Sequence, residues 1–325
     1  MFDVGENFLS PRDLLQKNGF CLNGPRISDT TKFIVLCLNL PQSVDAIKER
    51  AGISGHFYDQ ILDKLYHGIV AMRSIADDCG AIIGMIDAAC SKTLEFEAVI
   101  ESKLPRLFHL LALLRDNRSP ETESEIRALN AQLIILANSA QRDSQAIDIG
   151  PVIQAWKNNQ QFMKDVYNEF IKRMNDPQVQ RIMEAVLGAR DVHGLEKLKA
   201  WMEKLNAQTG PAMTDLGYLR GQFSLSFPFH NPCKILLFVD GREALSFRWC
   251  LLTSLEGSWQ VVGQDASVLE EFLREPHSPM VDRVLKIEQA LLLRKWRHVK
   301  DEATKLREEH LKQAVIDIDR AHRLQ

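Results

Sequence analysis

Glycine and proline are scarce, at 17 and 12 in 325 residues, and Phe, Trp and Tyr together supply only 7%. Both Gly and Pro interrupt helix interiors, so a chain that uses so few of them is expected to be mostly α. There is no excess of charge of either sign: 40 Lys and Arg stand against 43 Asp and Glu, for a net charge of -3. That balance excludes a strongly basic nucleic-acid binder, and 45% hydrophobic residues exclude a disordered chain. No stretch approaches the roughly 18 to 20 consecutive apolar residues of a membrane-spanning helix. Met1 to Glu6 carries acids where a signal peptide carries Lys or Arg, and no apolar core follows. The expectation is synthesis in the cytoplasm without such a signal, followed either by residence there or by export along another route.

Cysteine is thinly spread. Cys21, Cys37, Cys79, Cys90, Cys233 and Cys250 form no Cys-x-x-Cys pair and have no His at ligand spacing, so they read as free thiols and not as a disulfide framework or a zinc site. Catalytic motifs are missing too. There is no His-Glu-x-x-His, no Glu-x-x-His, no Gly-x-Ser-x-Gly elbow and no phosphate loop. Gly52-Ile53-Ser54-Gly55-His56 lacks the lysine of a phosphate cradle and reads as a turn. His67 and His109 lie near helical seams, and Trp201, Trp249, Trp259 and Trp296 on apolar stripes, where core packing is the simpler role. An enzyme needs convergent polar groups, and none is marked; no cofactor, metal or small-molecule substrate is expected.

What is present is helical periodicity. From Tyr58 onward Leu65, Met72, Cys79 and Ile86 recur every seventh residue. Ile61, Ile75, Ile82 and Ala89 follow at the companion spacing, and Leu62, Ile69, Ala76 and Ile83 widen the stripe. So wide a face buries against more than one neighbour. The pattern continues to Leu104, where Pro105 is expected to kink or restart the helix. Ser119-Pro120-Glu121 is a helix start, Gly150-Pro151 and Asn175-Asp176-Pro177 are resets, and helical spacing resumes from Leu245 to Leu273. Ser43 and Asp45 open a short helix that Gly52 and Gly55 close. The run Phe33 to Leu38 fits a buried strand or a buried helix equally well. After Pro279, Leu285, Leu292, Trp296, Val299, Ala303 and Leu306 form a thin seam in a highly charged segment, as in a helix that packs on one partner only.

One segment breaks the pattern. Gln222 to Phe227 alternates apolar with small polar residues, Pro228 to Pro232 reads as a turn, and Lys234 to Val239 is apolar after its first residue. The expectation is a β-hairpin, with Gly217, Gly221 and Gly241 as hinge positions. Between Gly221 and Val239 the sole formal charge is Lys234. An isolated hairpin of this kind is marginal in water. It either caps the helical bundle or meets another apolar phase, a membrane or a partner. The residues that would do so are Phe223, Leu225, Phe227, Phe229, Ile235, Leu236, Leu237, Phe238 and Val239.

Three stretches carry a family resemblance: the helix-like run from Phe33 ending in Asn39-Leu40-Pro41-Gln42-Ser43-Val44, the long helix from Tyr58, and the Trp-centred Ser258-Trp259-Gln260-Val261-Val262. The chain resembles the α-helical pore-forming toxins of bacteria, of the cytolysin A-like kind. Within them it is most similar to a component of the α-xenorhabdolysin-type binary cytotoxins. The resemblance implies an elongated bundle of long antiparallel helices, a small apolar head that inserts on assembly, a second toxin subunit and a host lipid membrane as partners, and secretion. The charged segment after Pro279 has no match in it, and the apolar stretch is shorter than a membrane-spanning helical hairpin. The expected organisation is an N-terminal segment 1–57 on the bundle, long helices over 58–209, a hairpin head over 210–241 and returning helices over 242–325. The alternative is an intracellular helical scaffold or adaptor that binds a partner through its coiled-coil helices.

Overall fold

The computed structural model describes residues 8–11, 14–16, 19–22, 24–186, 189–223 and 255–324. Among these the fold is mainly α. A two-residue antiparallel ladder joins β1 (Leu15–Gln16) to β2 (Gly19–Phe20), in the register Leu15 to Phe20 and Gln16 to Gly19. The helices are α1 (Gly24–Leu38), α2 (Val44–Ala51), α3 (Asp59–Asp116), α4 (Pro120–Gln145), α5 (Gly150–Met174), α6 (Pro177–Val186), α7 (Ala189–Phe223), α8 (Leu255–Ser267), α9 (Leu269–Arg274), α10 (Pro279–Leu285), α11 (Gln289–Leu306) and α12 (Lys312–Arg323). A π-helical turn, Arg307–Leu311, joins α11 to α12.

Local chemistry sets most of the boundaries. Ser119 Oγ accepts from Thr122 N at 3.2 Å, with Pro120 in the first turn of α4. Ser43 does the same for α2, accepting from Ala46 N at 3.0 Å, and Gly52 ends that helix at φ 78°, a left-handed conformation that glycine adopts without strain. Asp176 Oδ1 accepts from Gln178 N at 2.8 Å at the start of α6. The run Phe33 to Leu38 is helical. Ile27, Thr30, Thr31, Ile34, Cys37 and Leu38 are buried at the three-and-four spacing of a helix, which α1 completes from Gly24.

All twelve heptad-related residues expected on one face of α3, from Ile61 to Ala89, are buried. The helix does not restart at Pro105 but continues to Asp116. An interior proline costs a helix about 3 kcal/mol. Leu104, Leu107, Phe108, Leu110, Leu111 and Leu114, each at most 2% exposed, surround Pro105 with burial that offsets the cost. Likewise α7 runs through Pro211, flanked by buried Ala212, Leu216 and Leu219.

That continuity corrects one expectation. Residues 210–223, expected to lead into the hairpin, are the last turns of α7, so Gln222 and Phe223 are helical and do not begin a strand. Alternation over six residues could not outweigh a helix already propagating from Ala189. The remainder of the expected hairpin lies outside the described residues.

The chain divides into two compact units. The first comprises Met1–Gly24, Gly84–Asp148 and Leu219–Leu311; the second comprises Pro25–Ile83, Ile149–Tyr218 and Lys312–Gln325. In the first unit α8 and α9 together run antiparallel to α4: Gln145 Nε2 donates to Glu256 Oε1 of α8 at 2.9 Å at one end, and Arg127 lies 3.9 Å from Glu270 of α9 at the other. An aromatic core holds it together, with Phe96, Trp259 and Trp296 ring centroids 5.1 to 6.3 Å apart and Phe8 against Phe108 and Phe272 at 6.5 and 5.9 Å. In the second unit α5 runs antiparallel to the early part of α3, through Tyr58 against Phe170 and Lys64 against Glu169 at 2.6 Å. Phe33 of α1 meets Trp156 of α5 edge-on at 4.5 Å, and Arg50 lies over the Trp201 ring at 5.2 Å.

Candidate functional site

The expected apolar site is placed only in part. Phe223 is the last residue of α7, and Gly217 and Gly221 sit within the same helix, not at a turn. Leu225, Phe227, Phe229, Ile235, Leu236, Leu237, Phe238, Val239 and Gly241 lie outside the described residues, as do Trp249, Cys233 and Cys250. What is fixed is the frame. The segment leaves α7 at Phe223 and returns at Leu255, and both ends belong to the first unit. Leu255 itself is fully buried at the head of α8, beside the Gln145–Glu256 contact.

Next to that frame, α4 presents an unusual outward surface. Between Arg127 and Arg142 it carries no charged residue. Its inward face buries Ile126, Asn130, Leu133, Ala137 and Ala140. Ala128, Ala131, Gln132, Ile135 and Asn138 face outward, and Ile135 is 65% exposed.

The N-terminal residues are fastened into the same unit by polar contacts that the sequence does not announce. Leu9 is fully buried at φ 51°, a left-handed conformation that costs a non-glycine residue about 1–2 kcal/mol. Its backbone N–H donates to Asp265 Oδ2 at 3.0 Å, and its carbonyl accepts from Trp296 Nε1 at 2.7 Å. Asp265 and Trp296 are themselves buried, so both backbone groups of a strained residue are satisfied by core side chains.

One buried charge is poorly satisfied. Glu97 of α3 is fully buried, and neither of its carboxyl oxygens has a hydrogen bond. Lys300 Nζ of α11 lies 3.3 Å from its Oε2, an ion pair without hydrogen-bond alignment. The same amine is 3.5 Å from Glu101 Oε2, and Glu101 Oε1 accepts from Arg297 Nε at 2.8 Å. Burial pushes the Glu97 carboxyl above the usual carboxylate range, against the pull of Lys300. Arg297 and Lys300 hold the half-buried Glu101 below that range.

A cleft of about 890 Å³ opens between the α3–α4 turn and the turn preceding α10. Arg115, Arg118, Arg274 and His277 line it, together with Asp116 and Glu275. Two of its arginines are already paired: Arg115 reaches Asp116 at 3.1 Å and Asp282 at 3.5 Å, and Arg118 binds Glu123. Among the described residues no three His, Cys, Asp or Glu side chains converge as metal ligands. No helix among them is long and apolar enough to cross a membrane. Cys21, Cys37, Cys79 and Cys90 are buried thiols in no disulfide, as expected. His67 and His109 are exposed, while Trp259 and Trp296 are fully buried.

No family model matches the chain, and no curated protein is significantly similar to it. Sequence reading missed Leu9, Glu97 and Asp265. Glu97 follows Phe96 on the heptad face of α3, and a charged residue falling on a buried stripe was the available signal. Nothing in the sequence marks Leu9, whose role depends on residues 256 and 287 positions away.

Proposed function

We propose that the chain is one component of a bacterial binary cytotoxin of the α-helical pore-forming kind, assembling with a second subunit on a host lipid membrane. The observation that carries this reading is the position of the charge-poor stretch. It departs from the end of α7 and rejoins at α8 within one helical unit, and Lys234 is its sole charge between Gly221 and Val239. In this reading Leu225, Phe227, Phe229 and Ile235 to Val239, which follow the end of α7, supply the apolar head. The uncharged outward face of α4, on which Ile135 stands exposed, supports assembly, because a neighbouring helix could pack there without desolvating a charge.

The driving force is a change of surroundings. Each large apolar side chain moved fully into lipid gains about 1.5–3 kcal/mol relative to exposure in water. The polar backbone groups of the stretch must then be paired within the assembly, since lipid offers no partners. Replacing Phe227 and Phe229 by Asp tests the reading in a dye-release assay on phosphatidylcholine liposomes, with the product of the adjacent reading frame as second subunit. Release by the parent pair, abolished by the double substitution at unchanged helicity, is the expected result. No release by the parent pair, or equal release by the variant, overturns the reading.

A further inference from the structure

We propose that Lys300 is a two-position contact under proton control, shared between the buried Glu97 and the half-buried Glu101 and passed wholly to Glu101 when Glu97 takes up a proton. The geometry already holds both positions. The amine is 3.3 Å from one carboxylate and 3.5 Å from the other, and both carboxylates lie on α3 one helical turn apart. Neither Glu97 oxygen has an aligned hydrogen bond, so its charge is sustained in the core mainly by this amine, with a smaller pull from Arg297. Glu101 has a second anchor in Arg297, so it keeps its charge without Lys300.

The charged groups acting on Glu97 are Glu101 from its own helix and Lys300 and Arg297 from α11. On α8, Trp259 packs against Phe96, and the acids of that helix, Glu256 and Asp265, are bonded to Gln145 and to the Leu9 N–H. Removing the charge from Glu97 therefore removes the one reason for Lys300 to reach inward. The amine turns to solvent and to Glu101, and α11 stays on α3 through Trp296, Val299 and Ala303, now without a buried charge beneath them.

The order of events under acidification follows from the directions of the two shifts. The Glu97 carboxyl is raised and the Glu101 carboxyl lowered, so Glu97 accepts its proton first, while Glu101 is still ionised and able to take the amine. A raised folded-state value adds stability that is fully present below the unfolded carboxylate value and is lost as pH rises through the folded one. The first unit should accordingly tighten, not loosen, on mild acidification from neutral pH. That is opposite to the effect of Glu101, whose pairing is lost only as pH falls through its lowered value.

The test uses the full chain and two readouts from pH 7.5 down to the ordinary carboxylate range: the urea midpoint, and hydrogen exchange of the α11 amides around Lys300. Parent protein should show a rising midpoint and slower exchange as pH falls. Glu97→Gln, which mimics the protonated acid, should begin at the higher value and be flat over the window. Lys300→Met should move the parent's transition to higher pH, by on the order of one pH unit. A parent without a rise, a Glu97→Gln variant that keeps the parent's pH dependence, or an unmoved transition in Lys300→Met each overturns the proposal. So does failure of Glu97→Gln to fold, because it would mean that the site requires the carboxylate. Membrane activity plays no part in these readouts, so the outcome is separate from that of the liposome assay.

Discussion

The indole of Trp296 donates to the carbonyl of Leu9 at 2.7 Å, tying a residue near one end of the chain to a helix near the other. Leu9 is held in a left-handed backbone conformation, and its N–H is taken by Asp265. Trp296→Phe keeps the ring against Phe96 but leaves a buried carbonyl unpaired, at a cost of about 1–3 kcal/mol. Asp265→Asn keeps an acceptor for the Leu9 N–H and should cost less than Asp265→Ala. Urea denaturation of the three variants checks the order.

Gly24 lies under the imidazole of His310, in the π-helical turn between α11 and α12. A Cβ at position 24 would stand 2.1 Å from His310 Cδ2 and 2.8 Å from Cγ, so the whole ring would have to move. Gly24→Ala should therefore destabilise the first unit. His310→Ala should recover much of the loss when the two are combined, giving a strongly non-additive thermal-denaturation cycle.

The four described thiols should be inert in the folded protein. Burial pushes Cys79 up to about 12 and raises Cys37 and Cys90 as well. A thiol at about 12 is ionised to only about one part in ten thousand at pH 8, and the thiolate is the reactive form. A Cys233→Ser, Cys250→Ser variant should give almost no reaction with a thiol reagent at pH 8 when folded. In guanidinium chloride it should give the full reaction of its four remaining cysteines, the six of the chain less those two.

On α4, neighbouring positions should respond in opposite ways. Ile135 is 65% exposed, so Ile135→Lys should change stability by less than about 0.5 kcal/mol. Leu133, 3% exposed and facing α8, should lose about 2–5 kcal/mol as Leu133→Ala. If α4 contacts a second subunit, Ile135→Lys should also weaken co-assembly, measured by sedimentation with that subunit, while the isolated chain keeps its melting temperature.

The helices were legible because their signals are local. Ser43, Ser119 and Asp176 cap where their residue type and the following Pro or acid indicate, and the α3 stripe is buried at every expected position. The restart offered at Pro105 and the head expected from residue 210 give way to continuous helix for a physical reason. A proline penalty of a few kcal/mol is decisive in an isolated helix but is outweighed when buried leucines lie on both sides. The alternation at Gln222 misled because a helix extends more easily than a strand begins. The Leu9 contacts and the sharing of Lys300 were not legible, since they depend on which distant helices meet. The segment after Val281, which reads as a charged appendage with one thin seam, supplies fully buried Trp296, Val299 and Leu311 to the first unit and buried Ala314, Ile318 and Ala321 to the second. Deleting 281–325 would therefore unfold the protein and could not isolate a partner-binding tail.

Each unit is assembled from three separated stretches of chain, and α3 contributes to both. A ribosome delivers these stretches in order, so the first unit cannot close until Leu311 has emerged, nor the second until α12 has followed. Early helices such as α3 must wait with their apolar stripe uncovered, the state in which chains are most prone to associate wrongly. Neither unit can be obtained by simple truncation, and a protein built this way is expected to depend on chaperones during its synthesis more than its helical content alone would suggest.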